Sequence, residues 1–201
     1  MTATPPPHSW RRRVKWVIGV TAAALVLVVA AVTIWLSEAL KPAQEAPMRN
    51  GDVAAQQDDL RSKGSAEEAL RRYETLLAQT ADQIIALVPG LTWRWYYEDT
   101  TVSCTGPLAG TGAVQILTRH VVFDGPVPDA QWPAAVGIVA ERAAAFGADD
   151  VFTFKDNPGD HDIAISGADG VEFRFGTKVA TNLSARSGCH LEQADLTRDG
   201  S

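Results

Sequence analysis

DVFTFKDNPGDHDIAISGADGVEFRFGTKVATNLSA, residues 150–185, reads as four extended segments separated by Asn157-Pro158-Gly159, by Asp169-Gly170 and by the short polar step before the last. Gly after Pro or Asp supplies the positive φ that tight hairpin turns require. Between the turns the apolar residues alternate with polar ones at a period of two, the signature of strands with one buried face. On that alternation Phe152, Phe154, Ile163, Ile165, Val171, Phe173 and Phe175 face inward, and Glu172 and Arg174 face water. The stretch therefore predicts an antiparallel meander.

A meander with one apolar face needs a cover, and the residues before it supply helices. Ser65-Ala-Glu-Glu68 has the pattern of a capping box, with the Ser side chain accepting from the amide three residues on. Ala69, Leu70, Tyr73, Leu76, Leu77, Thr80, Ile84, Leu87 and Val88 then recur at helical spacing until Pro89-Gly90 stops the run. A second helix is predicted after Asp129 as N-cap, with Pro133 tolerated in its first turn. Its stripe is Trp132, Val136, Val139, Ala140, Ala143 and Phe146, and Gly147 ends it. Between the helices, "TWRWYYE" sets Trp93, Trp95 and Tyr97 against Arg94, Tyr96 and Glu98, and "AVQILTRHVVF" from Ala113 to Phe123 reads as one long strand. The order α-β-β-α-β-β-β is that of an α+β fold, an antiparallel sheet of about five to six strands packed on one face against two helices.

Further out, residues 14–36, "VKWVIGVTAAALVLVVAAVTIWL", form an apolar run that as a helix spans about 34 Å, the thickness of a bilayer core. Trp10 and Trp16 at one end and Trp35 at the other suit the headgroup zones. Arg11, Arg12, Arg13 and Lys15 predict a cytoplasmic N-terminus, residues 1–13, with everything beyond Leu36 outside the cytoplasm. A signal peptide cleaved near Ser37-Glu38-Ala39 is the competing reading, and the apolar run is long for one. Residues 37–64 carry Pro42, Pro47, Gly51 and Gly64 among polar residues and read as a linker with room for a helical turn or two near 53–62. The extracytoplasmic domain is placed at 65–191 and a polar tail at 192–201. The chain's net charge is −6, and setting aside the four cations of residues 1–36 leaves 14 basic against 24 acidic residues, a net −10. Such a domain repels nucleic acid and anionic headgroups.

The only cysteines are Cys104 and Cys189. In an oxidising compartment they are expected to form a disulfide, each following a strand. The neighbouring Cys189 and His190 invite a nucleophile-and-base reading, yet adjacent side chains on an extended chain point apart. "KDNPGDHD" crowds Asp156, Asp160, His161 and Asp162 at a turn, but its spacing is not that of a calcium loop and one His suits zinc poorly. Ser166 and Ser187 stand beside glycines without the G-x-S-x-G of a nucleophile elbow, and Asn182-Leu-Ser184 is a sequon to which no role is assigned. Trp93, Trp95 and Tyr97 are either a ligand-stacking surface or the core side of their strand. No role is read for His120 or His190, and no cofactor or metal is expected.

The segment "VPGLTWRWYYEDTTVSCTGP" and the second half, "DNPGDHDIAISGADGVEFRFGTKVATNLSARSGCH", resemble the LppA-like lipoproteins of mycobacteria across residues 65–191. What carries the likeness is the order: a Pro-Gly helix end, a Trp-bearing strand, Ser-Cys, a helix with Trp132, glycine-punctuated hairpins and a closing Gly188-Cys189-His190. The chain departs from that family in lacking a cysteine just after the apolar run, so a transmembrane helix stands where a lipid anchor is expected. The resemblance implies an actinobacterial cell envelope setting and carries over no catalytic residue. The expected function is a membrane-anchored, extracytoplasmic, non-catalytic module that touches the bilayer through residues 14–36 and binds an envelope protein or cell-wall partner. Two alternatives stand beside it: a carrier holding a small apolar ligand or lipid in a pocket lined by Trp93 and Trp95, and a hydrolase using His120 or His161.

Overall fold

The computed structural model describes residues 50–198, within a unit spanning residues 48–201. The basic N-terminus 1–13, the predicted transmembrane helix 14–36 and residues 37–49 of the linker lie outside the described residues. No helix among the described residues is long and apolar enough to cross a membrane. The described residues hold four α-helices: α1 Asn50–Ser62, α2 Ala66–Leu87, α3 Trp132–Ala144 and α4 Gln193–Arg198. Eight strands form one antiparallel sheet: β1 Trp93–Tyr96, β2 Thr100–Ser103, β3 Val114–Leu117, β4 His120–Phe123, β5 Ala148–Asn157, β6 Asp160–Gly167, β7 Glu172–Thr177 and β8 Thr181–His190.

The sheet is mixed α+β as expected, but with eight strands in place of five or six, and β8 explains the difference. Its first half pairs with β4 through Val121↔Leu183 and Val122↔Asn182, and its second half pairs with β3 through Leu117↔Arg186 and Val114↔His190. The run Ala113–Phe123, read as a single strand, is thus two. The break falls at Thr118, whose buried hydroxyl accepts the Ala185 amide at 3.0 Å, the proton a ladder carbonyl would otherwise take. Freed there, the chain turns β3 toward β2 and β4 toward β1. The path across the sheet is β1-β4-β8-β7-β6-β5.

Ser65 caps α2 by accepting from the Glu68 amide at 3.2 Å, as its motif predicts. Tyr73, Leu77, Ala81 and Ile84 of α2 and Trp132, Ala135, Val139 and Ala143 of α3 bury against Val121, Phe123, Ile163, Ile165, Phe173, Phe175 and Leu183 of the sheet. Asp129 does not cap α3. The N-cap is Gln131 without a side-chain bond, and the Asp129 carboxylate reaches across to the β5–β6 hairpin instead.

Phe152 and Phe154 depart from the inward placement, being 59% and 49% exposed. The cause is one residue. From its Pro158-Gly159 turn the hairpin pairs Asp156 with His161 and Lys155 with Asp162, a register that continued straight would set Phe154 against Ile163 and Phe152 against Ile165 on the core side. A bulge between Thr153 and Lys155 shifts it, so Thr153 meets Ile163 and Val151 meets Ile165. An extra residue in one strand exchanges its two faces. Both phenylalanines therefore lie on the side away from α2 and α3.

Part of the stretch read as linker is α1, and its Leu60 is fully buried with Cys104, Ala113, Cys189 and Leu191. Leu196 of α4, in the stretch read as tail, packs on the same small cluster. Cys104 and Cys189 are joined as a disulfide, Cα to Cα 6.2 Å, across 85 residues of sequence. Cys189 lies within β8 and not after it, while Cys104 follows β2, so the bridge ties the β2–β3 hairpin to the strand at the centre of the sheet.

Candidate functional site

With α2 and α3 on one side, the other face of the central sheet carries a row of side chains set by register. Tyr96 pairs with His120, Ser184 with Arg174, Arg174 with Ala164 and Ala164 with Phe152. The row is apolar at its two ends and charged in its middle. At the β1 end Tyr96 and Tyr97 are 49% and 66% exposed, their rings edge-on at 4.5 Å. Among the described residues Tyr97 is one of two non-glycines with positive φ, 64°, and this left-handed step ends the alternation of β1. It turns the ring onto His120, 5.1 Å between centroids. At the β5 end Phe152 and Phe154 meet edge-to-face at 4.6 Å.

Between them the Arg174 guanidinium lies 3.7 Å over the Phe154 ring while donating twice to Asp162, at 2.7 and 2.5 Å. The planar cation thus keeps a bidentate partner and still presents a face. Where β3 and β4 part over β8 there is a cavity of about 290 Å³, lined among others by Thr118, His120, Glu172, Arg174, Ser184 and Arg186. His120 sits at its wall with Nδ1 3.2 Å from the Asn182 amide nitrogen, and burial holds its pKa below the ordinary value despite that bond. Its partner is an amide and not a carboxylate, so this imidazole lacks the oriented acid that a triad base has.

The three aromatics grouped in the sequence are divided. Trp93 and Trp95 are half-buried on the helix side, packed edge-to-face at 5.4 Å against the main core. Trp93 Nε1 donates to Asp82 at 2.9 Å, and the Arg119 guanidinium, 2.6 Å from Glu74, covers the Trp95 ring at 4.6 Å. Tyr97 alone belongs to the uncovered face. The acidic turn is divided as well, because neighbours on a strand alternate. Asp162 serves Arg174, Asp160 accepts from Lys178 at 3.0 Å, and His161 points into the core side. There Nδ1 meets Asp156 at 2.8 Å and Nε2 meets Asp129 at 3.0 Å, with the ring stacked on Trp132 at 4.9 Å. Burial opposes charge on His161, but the two carboxylates outweigh it and raise its pKa. Both ring nitrogens are spent on this clamp, and no group of three metal-ligating side chains occurs among the described residues.

Sequence reasoning misses Phe152, Phe154 and Asp129. The Phe pair carries a signal in hindsight, since "VFTF" alternates β-branched and aromatic residues and either set can face the core.

A model of the LppA family, described as "Lipoprotein confined to pathogenic Mycobacterium", matches residues 41–193. LppA and LppB of Mycobacterium tuberculosis H37Rv are 27% and 28% identical to the chain over 145 residues. Those matches cover 69% of this chain and 66% of each relative, a little less than two thirds of their length. The crystal structure of LppA from Mycobacterium tuberculosis superposes with a TM-score of 0.65 at 26% identity, over 73% of this chain and 90% of that one. A family match over most of the chain, joined to the same fold in a relative, places this protein in the LppA family.

Proposed function

We propose that the chain is a non-catalytic binding module of the cell envelope, held at the membrane by residues 14–36 with its domain outside the cytoplasm, and that a protein partner docks on the uncovered sheet face. The observation that carries this is the exposure of Tyr96, Tyr97, Phe152 and Phe154 on one side of a sheet whose other side packs against helices. Large aromatics grouped with arginine are the composition of protein interface centres, whereas solitary exposed apolar residues mean little. Membership of a lipoprotein family supports the envelope setting. The carrier alternative has no comparable observation at the pocket expected beside Trp93 and Trp95, because those rings pack on a core whose centre is filled by Phe123, Phe173, Phe175, Leu77 and Ile84.

The test is a photo-crosslinking residue installed in intact cells at Phe152 and, as reference, at exposed Glu141 on α3. A discrete adduct from position 152, absent from 141 and lost in the Tyr97→Ser, Phe154→Ser background, is the expected result. Equal or absent labelling from the two positions contradicts the reading.

A further inference from the structure

The exposed aromatics of the uncovered face are spaced evenly about its centre. The path β1-β4-β8-β7-β6-β5 has its midpoint between β8 and β7. One residue from each strand makes up the row: Tyr96, His120, Ser184, Arg174, Ala164 and Phe152, with His120 set opposite Ser184 by continuing the β4–β8 register. At about 4.8 Å per strand, Tyr96 and Phe152 each stand about 12 Å from the midpoint. Each end carries a second ring, Tyr97 beside Tyr96 and Phe154 beside Phe152.

A second sheet laid on this one, related to it by a twofold axis lying between the faces along β7 and β8, exchanges the two ends. Tyr96 then comes over Phe152 of the other copy, and Phe152 over its Tyr96. The same exchange sets small side chains against large ones, Ala164 against His120 and Ser184 against Arg174. The neighbouring row supplies charge. Glu172 stands opposite Arg186 in the β7–β8 register, both on the uncovered face because Phe173 and Ala185 between the rows point into the core. Neither makes an ion pair among the described residues, and Arg186 is exposed. Turned about the axis, Arg186 of each copy meets Glu172 of the other, and the cavity of about 290 Å³ beside Arg186 gives the incoming side chain room. On the third row like charges meet, Arg94 against Lys155, at exposed corners where solvent screens them.

We propose that the partner on this face is a second copy of the chain, docked sheet to sheet as an isologous dimer in which the Tyr96–Tyr97 end of each copy packs on the Phe152–Phe154 end of the other. This rests on the reading of the uncovered face as a docking surface and names its occupant. Three rows across six strands cover roughly 500 Å² of each copy, about 1,000 Å² in all, the size at which specific association begins.

The experiment is sedimentation velocity on the whole 201-residue chain in detergent, with charge-reversed variants. The wild type should form a dimer. Glu172→Arg alone and Arg186→Glu alone should each weaken self-association by about tenfold or more, since each sets like charges together twice. An equimolar mixture of the two variants should recover association to within a few-fold of wild type. In the mixed dimer every arginine again faces a glutamate, whereas a folding defect in either variant is not repaired by mixing. A photo-crosslinking residue at position 152, in a mixture of light and isotope-heavy chains, should give adducts that join the two kinds at Tyr96 or Tyr97. A chain that stays monomeric, or a mixture that associates no better than the single variants, overturns the proposal. If the chain is monomeric while position 152 labels a different protein in cells, the docking face stands and a second copy is excluded as its occupant. If neither occurs, both readings fail.

Discussion

His161 shows at the scale of one residue how an apparently reactive cluster becomes a structural clamp. The imidazole sits between Asp129 and Asp156 and stacks on Trp132, joining the loop before α3 to the β5–β6 hairpin. Its folded pKa is raised, so it contributes stability that is full below about pH 6.5, the unfolded value, and is lost as pH climbs through the folded value. Asp129 runs the other way: the His161 bond and the Gly159 amide lower its pKa, and its contribution disappears as pH falls below about 4. His161→Gln should therefore lower the thermal midpoint most between about pH 4.5 and 6.5 and much less near pH 9. A penalty that is flat with pH would show that the charge on the ring does no work. Sequence reading finds His161 and Asp156 but not Asp129, because a partner 32 residues away has no local signature. Phe154 failed for a related reason, since one bulged residue reverses a strand's faces and leaves composition untouched.

At the scale of elements, the tight turns and the Ser65 cap were the most legible, whereas the Asp129 cap was not formed. The Ser65 box, Pro158-Gly159 and Asp169-Gly170 each act through local backbone chemistry, and all three lie where their motifs put them. Elements held only by distant contacts were not. β2, residues Thr100–Ser103, is exposed on both faces and has no apolar period, and α1 is mostly polar, with Leu60 its residue in the disulfide cluster. Leu60→Ala separates a docked helix from a passive spacer: loss of this fully buried side chain should cost about 3 kcal/mol in chemical denaturation, against nearly nothing for a linker residue. The β5–β6 hairpin offers a second check. A Cβ at Gly167 would stand 2.0 Å from the Gly147 carbonyl oxygen, where the turn after α3 passes over β6. Gly167→Ala should destabilise by about 3 kcal/mol for that steric reason, although its φ of −140° suits any residue.

For the whole molecule, the disulfide and the one-sided cover organise the rest. Joining residues 85 apart removes loop-closure freedom from the unfolded chain worth up to about 4–5 kcal/mol in the chain-entropy model. Replacing both cysteines by alanine should lower the thermal midpoint by roughly 10 °C, and an unchanged midpoint would place the bridge outside the fold's energetics. The α+β class, the helix-covered core and the cysteine pair were readable because each rests on periodicity or on simple counting. The uncovered face was not, because it depends on β5's bulge and on Tyr97's turn out of β1. That face is the central claim, and hydroxyl-radical footprinting tests it without knowing the partner. In intact cells Tyr96, Tyr97, Phe152 and Phe154 should be oxidised several-fold more slowly than in the purified protein, with Trp93 and Trp95 on the helix side as internal reference. Equal oxidation of the four residues in cells and in solution would contradict a docked sheet face.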